Sequence, residues 1–187
     1  YIISQQNYKP TTFTIPSDFS SAALLLSAAV LIGENLTIQV TMGKLPQADE
    51  AIIDILEVLG AIVTLEKGHI TIKSPEELEG GRFDLSNSPD LLPAIAILAL
   101  KKTKPIEIFN VEHARYKETD RIAILARELG KLGVKVVEKK DGLILKNSGK
   151  LTGADLNSEN DHRLFMAFCI AGMYVGNCTV SDPESVE

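Results

Sequence analysis

The sequence predicts an α/β domain of three repeated βαβαββ units, with three buried helices side by side and the sheets outside. Three observations support this. The aspartates Asp18, Asp90 and Asp161 lie 72 and 71 residues apart, and a helix-length apolar segment follows each one. An amphipathic segment follows the first two copies. A hairpin turn, Lys67-Gly68 or Asp141-Gly142, then follows each amphipathic segment.

Each unit is predicted to run strand, buried helix, strand, amphipathic helix, strand, turn, strand. We place the first unit over residues 11–74, the second over 78–149 and a third, truncated unit over 150–187. The first helix of each unit is apolar nearly all round, which indicates an interior position. Arranged around a pseudo-threefold axis, the units form one globular domain over residues 1–187, and the starts of the buried helices then share one face.

Composition excludes several classes of protein. The formal net charge is −6 and there is no Trp, which argues against nucleic acid as a partner. No apolar run reaches 18 residues, so no membrane span is predicted. Cys169 and Cys178 form no C-x-x-C pattern and are expected to be buried, reduced thiols in a cytoplasmic protein. No group of His, Cys and acidic residues has the spacing of metal ligands.

The most unusual string is H-A-R-Y-K-E-T-D-R at 113–121, between a predicted strand and the second amphipathic helix. Cations and backbone N–H groups at a helix start can hold an anion. The alternative is that Thr119 or Asp120 caps the helix while the other charges are solvated. Composition alone favours that alternative.

Two further strings stand before buried helices: N-S-P-D at 87–90 and N-D-H-R at 160–163. Each can be a turn followed by a capping aspartate. The repeat, however, brings all three strings to one face. There they supply cations for a phosphate and a carboxylate, together with two carboxylates for proton transfer.

At these residues the sequence resembles the 5-enolpyruvylshikimate-3-phosphate synthase family. K-E-T-D-R at 117–121 and the following A-R-E-L-G-K-L-G at 126–133 are similar to one family signature, and N-D-H-R at 160–163 is similar to a second. S-P-D at 88–90 resembles the segment of the catalytic aspartate. The resemblance extends from the S-D-F-S-S-A segment at 17–22 to D-P-E-S at 182–185.

The resemblance implies an activity and its requirements. The 5-hydroxyl of shikimate 3-phosphate attacks C2 of phosphoenolpyruvate, and phosphate leaves to give the enolpyruvyl ether. No metal or organic cofactor takes part, and glyphosate would occupy the phosphoenolpyruvate site. The family fold has two facing domains, so the implied partners are these two substrates and the protein's own N-terminal domain. A monomer is expected, and this chain alone is expected to be inactive.

Roles follow by position from the resemblance. Asp90 and Glu118 are the expected catalytic residues, as general base and as acid–base group near the methylene carbon. Shikimate 3-phosphate is expected to contact Asp90, Lys117 and His113. The residues expected to bind phosphoenolpyruvate are Lys117, Arg121, His162 and Arg163. His113 stands where many members have Asn, and the family's closing lysine would be expected just after Glu187.

Three other interpretations of the function remain open. UDP-N-acetylglucosamine enolpyruvyl transferase shares the fold, but K-E-T-D-R and N-D-H-R favour the shikimate enzyme. RNA 3′-phosphate cyclase is a third relative by fold, and the acidic charge disfavours it. A non-catalytic repeat scaffold explains the periodicity. It does not explain why cations and carboxylates concentrate at equivalent helix starts.

Overall fold

The computed structural model describes residues 2–33, 35–101 and 103–186, which contain both helices and strands. The α-helices are α1 (Phe19–Ile32), α2 (Ile52–Val58), α3 (Leu92–Ala96), α4 (Arg121–Lys131) and α5 (His162–Val175). Short 3-10 helices lie at Ala48–Ala51, Pro89–Leu91, Ile97–Leu100, Glu112–Tyr116 and Pro183–Val186. The predicted α/β class is confirmed. Within the described residues no helix is long and apolar enough to cross a membrane.

Three sheets lie around the helices. The first contains β1 (Leu36–Gln39), β2 (Ile62–Glu66) and β3 (His69–Lys73), all antiparallel, in the order β1-β3-β2. The second contains β4 (Gly81–Asp84), β5 (Ile106–Phe109), β6 (Val134–Lys139) and β7 (Gly142–Asn147), in the order β4-β5-β7-β6. In it only β4 and β5 run parallel. The third pairs β8 (Asp155–Leu156) with β9 (Thr179–Val180) in parallel.

The centre of the molecule is a layer of apolar helices. The helices α1, α3 and α5 pack against one another, and core side chains such as Leu26, Ile95 and Phe168 are fully buried. Asp18 and Asp161 begin α1 and α5, and each carboxylate accepts hydrogen bonds from two backbone N–H groups of the first turn. These two capping predictions are confirmed, and they fix where the two helices start.

The middle buried segment departs from a regular helix. It runs as the 3-10 helix Pro89–Leu91, then α3, then the 3-10 helix Ile97–Leu100. Pro93 has no N–H to donate to the carbonyl of Pro89, so a continuous α-helix would lose that bond. Asp90 consequently lies inside the first 3-10 turn. The capping interpretation of Asp90 is wrong, because the N-cap position is Ser88 and no side chain caps it.

The strand predicted before the first buried helix is absent. Residues 2–18 form neither helix nor strand, and residues 2–15 are exposed. Pro10 and Pro16 lack the N–H groups that a sheet ladder needs. Ser17 connects the end of this segment to Thr41: its N–H donates to Thr41 O at 2.9 Å, and Thr41 N–H donates to Ser17 Oγ at 2.9 Å.

The expectations for the two cysteines and for the repeat units have different outcomes. Cys169 and Cys178 are free thiols, but both are half-buried rather than buried. Burial raises the pKa of the Cys169 thiol. The division into units 11–74, 78–149 and 150–187 about a threefold axis stays a prediction, and its last residue, Glu187, lies outside the described residues.

Candidate active site

A buried arginine at the start of α4 gathers carboxylates from three parts of the chain. Arg121 is only 1% exposed. Its Nε donates to Asp161 Oδ2 at 2.7 Å, its Nη1 to Asp90 Oδ1 at 2.8 Å and its Nη2 to Glu118 Oε2 at 2.8 Å. Burial opposes the charge, yet the hydrogen bond that Arg121 donates to Asp161 and the charges of the nearby carboxylates raise the pKa of Arg121 above its ordinary value. This guanidinium therefore joins all three predicted strings into one site.

Asp90 lies among three cations. Besides Arg121, Lys117 Nζ lies 3.4 Å from Asp90 Oδ1, and Arg163 Nη2 lies 3.7 Å from Asp90 Oδ2. Burial alone would raise the pKa of Asp90, but the charges of Arg163, Lys117 and Arg121 together lower it below its ordinary value. The carboxylate is therefore ionised at neutral pH. It is oriented by cations and caps no helix.

Asp161 connects the buried arginine to the start of α5. It is fully buried, its Oδ1 accepts from Arg163 N–H at 2.9 Å and Leu164 N–H at 3.2 Å, and the Thr119 hydroxyl donates to Oδ2 at 3.3 Å. The sequence predicted its capping role but not its ion pair with Arg121. The sequence did hold one signal for such an ion pair: Asp161 precedes Arg163 at the start of an apolar helix, and a cation at the start of a packed helix needs an anionic partner.

Glu118 and His162 lie at the edge of the site. His162 Nδ1 is 3.8 Å from Glu118 Oε1, and both side chains are partly exposed. His113 lies on the 3-10 helix Glu112–Tyr116 and is exposed. Within the described part of the chain, no hydrogen bond or ion pair connects His113 with the other predicted site residues. The structure thus brings together six of the predicted residues and leaves His113 apart.

We call the assembled groups the charged cluster; it consists of Asp90, Lys117, Glu118, Arg121, Asp161 and Arg163. Its three cations balance its three carboxylates. Substrate anions would add negative charge, so they would need either further cations or exchange of a carboxylate partner. No group of three or more His, Cys, Asp or Glu within the described residues could hold a metal ion.

Asp49 is a neighbour of the cluster that the sequence did not indicate. It lies on the 3-10 helix Ala48–Ala51 and accepts a hydrogen bond from the Ser20 hydroxyl of α1. Burial raises the pKa of Asp49, the Ser20 bond opposes that rise, and the charge of Asp90 adds to it. Its string, P-Q-A-D at 46–49, lies outside the three charged strings, so nothing in the local pattern distinguished it.

The capping alternative for the 113–121 string is confirmed for Asp120, whose carboxylate accepts a hydrogen bond from Ala123 N–H at 3.0 Å. Thr119 directs its hydroxyl to Asp161 instead. The string therefore has both functions: one residue starts the helix, and its neighbours Lys117, Glu118 and Arg121 belong to the charged cluster.

Comparison with known proteins identifies the family. Residues 1–187 match the family model for EPSP synthase (3-phosphoshikimate 1-carboxyvinyltransferase). The chain belongs to the EPSP synthase family. It is 68% identical over 187 residues to the 3-phosphoshikimate 1-carboxyvinyltransferase of Nitrosopumilus maritimus, covering 100% of this chain and 44% of that protein. It is 41% identical over 183 residues to that of Methanocaldococcus jannaschii, covering 98% of this chain and 43% of the relative.

Solved structures agree with this membership. A structure of EPSP synthase from Acinetobacter baumannii matches with a TM-score of 0.79 and 26% identity, covering 92% of this chain and 43% of that one. The enolpyruvyl transferase NikO from Streptomyces tendae shares the fold, with a TM-score of 0.69, 19% identity, and coverage of 90% of this chain and 39% of NikO. The chain spans less than half the length of the curated EPSP synthase relatives it matches.

Proposed function

We propose that the full-length protein containing this chain is a 3-phosphoshikimate 1-carboxyvinyltransferase. It transfers the enolpyruvyl group of phosphoenolpyruvate to the 5-hydroxyl of shikimate 3-phosphate and releases phosphate, without a metal or organic cofactor. Family membership and the 68% identical relative support this proposal. The observation that carries it is the position of Asp90, a carboxylate held by Lys117, Arg121 and Arg163.

Phosphoenolpyruvate is assigned to the three cations of the cluster, Lys117, Arg121 and Arg163, together with the neighbouring His162. The Lys117 and Arg163 side chains are 34% and 14% exposed, so an anion can reach them. Arg121 is enclosed, and it would bind substrate by exchanging Asp90 or Glu118 for a substrate oxygen. Asp161 would keep its place on Nε. Planar guanidinium groups suit this exchange because they bind carboxylate and phosphate oxygens in the same fork geometry.

Proton transfer is assigned to the two carboxylates that face the cations. Asp90 accepts the proton of the 5-hydroxyl as that oxygen bonds to C2. The protonated form of Glu118, released from Arg121 when a substrate oxygen takes its place, delivers a proton to C3. The tetrahedral intermediate then loses phosphate, and the proton on C3 returns to Glu118 as the double bond reforms. The cations of the cluster stabilise negative charge on the phosphoryl and carboxylate oxygens, in a site that needs little reorganisation.

Shikimate 3-phosphate is assigned to Asp90, Lys117 and His113. His113 is exposed on the 3-10 helix that precedes Lys117, which fits a contact at the rim of the site. The neutral charge balance of the cluster supports the proposal that an N-terminal domain supplies further cations for the phosphate groups. A monomeric, cytoplasmic protein completes the proposal.

Thermal shift of the full-length protein tests the substrate assignment. Shikimate 3-phosphate should raise Tm, and glyphosate should raise it further only when shikimate 3-phosphate is present. No response to this pair, together with a response to UDP-N-acetylglucosamine, would overturn the proposal. A paired test is Asp90→Asn against Asp84→Asn, an exposed aspartate on β4: only Asp90→Asn should abolish release of phosphate from the two substrates.

A further inference from the structure

A second arginine near the site, Arg115, has all three of its side-chain nitrogens engaged by protein groups. Arg115 Nε donates to Lys140 O at 2.9 Å, and Nη2 donates to Lys139 O at 2.7 Å and Glu138 Oε1 at 2.8 Å. Its Nη1 donates to both carboxylate oxygens of Asp120, at 3.1 and 2.8 Å. Each of the three side-chain nitrogens of Arg115 therefore donates to a protein oxygen.

These contacts connect two segments, which we define by residue. The site loop is residues 110–120, and the hairpin turn is residues 139–142, between β6 and β7. The loop's first residues bind the same turn: Asn110 N–H donates to Asp141 Oδ2 at 3.2 Å, and Val111 N–H donates to Asp141 O at 2.9 Å. Arg115 fastens the middle of the loop, and Asp120 caps α4 at its end.

Lys117 and Glu118 lie between these fastened points, in a stretch that is neither helix nor strand. Their side chains reach the cluster: Lys117 Nζ lies 3.4 Å from Asp90, and Glu118 Oε2 lies 2.8 Å from Arg121. A misplacement of about 1 Å can cost about 100-fold in rate, so the position of this stretch matters for any proton transfer by Glu118.

We propose that Arg115 is a positioning residue, which holds the site loop on the hairpin turn and so places Lys117 and Glu118 within the charged cluster. This inference rests on the proposed function for its catalytic consequence. We call the hydrogen bonds of Arg115 to Asp120, Glu138, Lys139 and Lys140 the clamp. Only arginine can form all of them. A lysine keeps the charge but has one nitrogen, and it cannot reach two carbonyls and two carboxylates in a planar fork.

The test compares Arg115→Lys with Arg82→Lys in the full-length protein. Arg82 makes one exposed ion pair with Glu107 in the same sheet and has no contact with the site loop among the described residues. In Arg115→Lys, kcat should fall about 10- to 100-fold. KM for phosphoenolpyruvate should change less than kcat, because Lys117 is the one assigned ligand on the loop, whereas Arg121, His162 and Arg163 lie outside it. Arg82→Lys should leave kcat and KM unchanged.

Hydrogen exchange without substrate is the second readout. Amides of the site loop should exchange faster in Arg115→Lys and at the wild-type rate in Arg82→Lys, while Tm changes by less than about 4 °C. A general structural role would instead speed exchange throughout the domain. If Arg115→Lys does not fold, Glu138→Gln, which weakens one contact of the clamp, should show the same loop-specific change to a smaller degree.

The outcomes separate this inference from the proposed function. Unchanged kcat and unchanged loop exchange in Arg115→Lys, or in Glu138→Gln where that variant replaces it, overturn the clamp. If the wild-type protein does not turn over the two substrates, the proposed function fails. Loop exchange then still decides whether Arg115 holds the loop.

Discussion

At the scale of single residues, Asp161 has two structural tasks that can be separated. It caps α5, and it pairs with the enclosed guanidinium of Arg121. Asp161→Ala removes the cap and also leaves a buried charge with one partner fewer. Removing one member of a buried pair costs about 3–5 kcal/mol, whereas a lost cap alone costs about 1 kcal/mol. We expect the larger loss in the free energy of unfolding, measured by urea denaturation.

Asp18→Ala is the matched control, because Asp18 caps the buried helix α1 in the same way but makes no ion pair among the described residues. It should cost about 1 kcal/mol. Equal losses for the two variants would contradict the importance of the Asp161–Arg121 pair.

Two carboxyls, Asp90 in the cluster and Asp49 beside it, should make stability depend on pH with opposite signs. The pKa of Asp90 is lowered from 3.8, so its contribution is present above pH 3.8 and is lost as pH falls through its lower folded-state pKa. The pKa of Asp49 is raised from 3.8, so the folded state binds its proton more tightly. Its contribution is lost as pH rises through the raised pKa.

Urea unfolding of Asp90→Asn and Asp49→Asn across pH 2 to 7 measures both effects. Asp90→Asn should flatten the loss of stability below pH 3.8. Asp49→Asn should flatten the decline that begins above pH 3.8. Slopes of the same sign in the two difference curves would refute the assignment.

The sequence located the charged residues better than it predicted their contacts. Each string stood before a helix, so spacing alone placed Asp90, Arg121 and Arg163 near one another. The enclosure of Arg121 by three carboxylates could not be predicted, because it depends on side-chain directions in space. Asp49 reaches the site from another 3-10 helix, and no local pattern marks that approach.

At the scale of secondary structure, the turn between β6 and β7 packs tightly against β5. A Cβ added to Gly142 would lie 1.9 Å from the carbonyl oxygen of Ile108, so Gly142→Ala must displace the turn. Overpacking of this kind typically costs about 1–3 kcal/mol. We expect that loss in thermal unfolding, together with lower kcat in the full-length protein, because the site loop rests on this turn.

Gly130→Ala provides the matched comparison on α4. A Cβ at Gly130 meets no atom within 4 Å, and the residue lies within a helix. Alanine should therefore stabilise the protein by about 0.5–1 kcal/mol. Destabilisation by Gly130→Ala, or no loss with Gly142→Ala, would show that the turn and the helix are not packed as described.

The sequence predicted helices and strands correctly where residues close in the chain determine where they begin or turn. Glycine and aspartate signals marked the hairpins and the starts of α1 and α5. The strand before α1 was not formed, because a run of exposed residues with two prolines has no partner strand that compensates for the missing N–H groups. The irregular middle helix follows from Pro93, whose effect on hydrogen bonding the apolar pattern concealed.

At the scale of the whole molecule, charge balance limits what this chain can bind. The cluster has as many carboxylates as cations, and the formal net charge of the chain is −6. Two phosphorylated substrates bring several further negative charges. Binding them here without added cations would leave negative charge unpaired in a partly buried site, which is unfavourable.

We therefore expect the 187-residue chain alone to be inactive and to bind the substrate pair weakly, whereas the full-length protein turns the pair over. Release of phosphate from phosphoenolpyruvate, with and without shikimate 3-phosphate, measures activity, and calorimetric titration measures the affinity for the substrates.

The matched control is the isolated chain with Asp90→Asn, in which one carboxylate of the cluster is replaced by a neutral amide. If charge is what limits binding, this variant should bind phosphoenolpyruvate more tightly than the unmodified chain, because Lys117 and Arg163 then face one negative charge fewer. Turnover by the unmodified chain alone, or weaker binding in Asp90→Asn, would show that the cations present here already suffice.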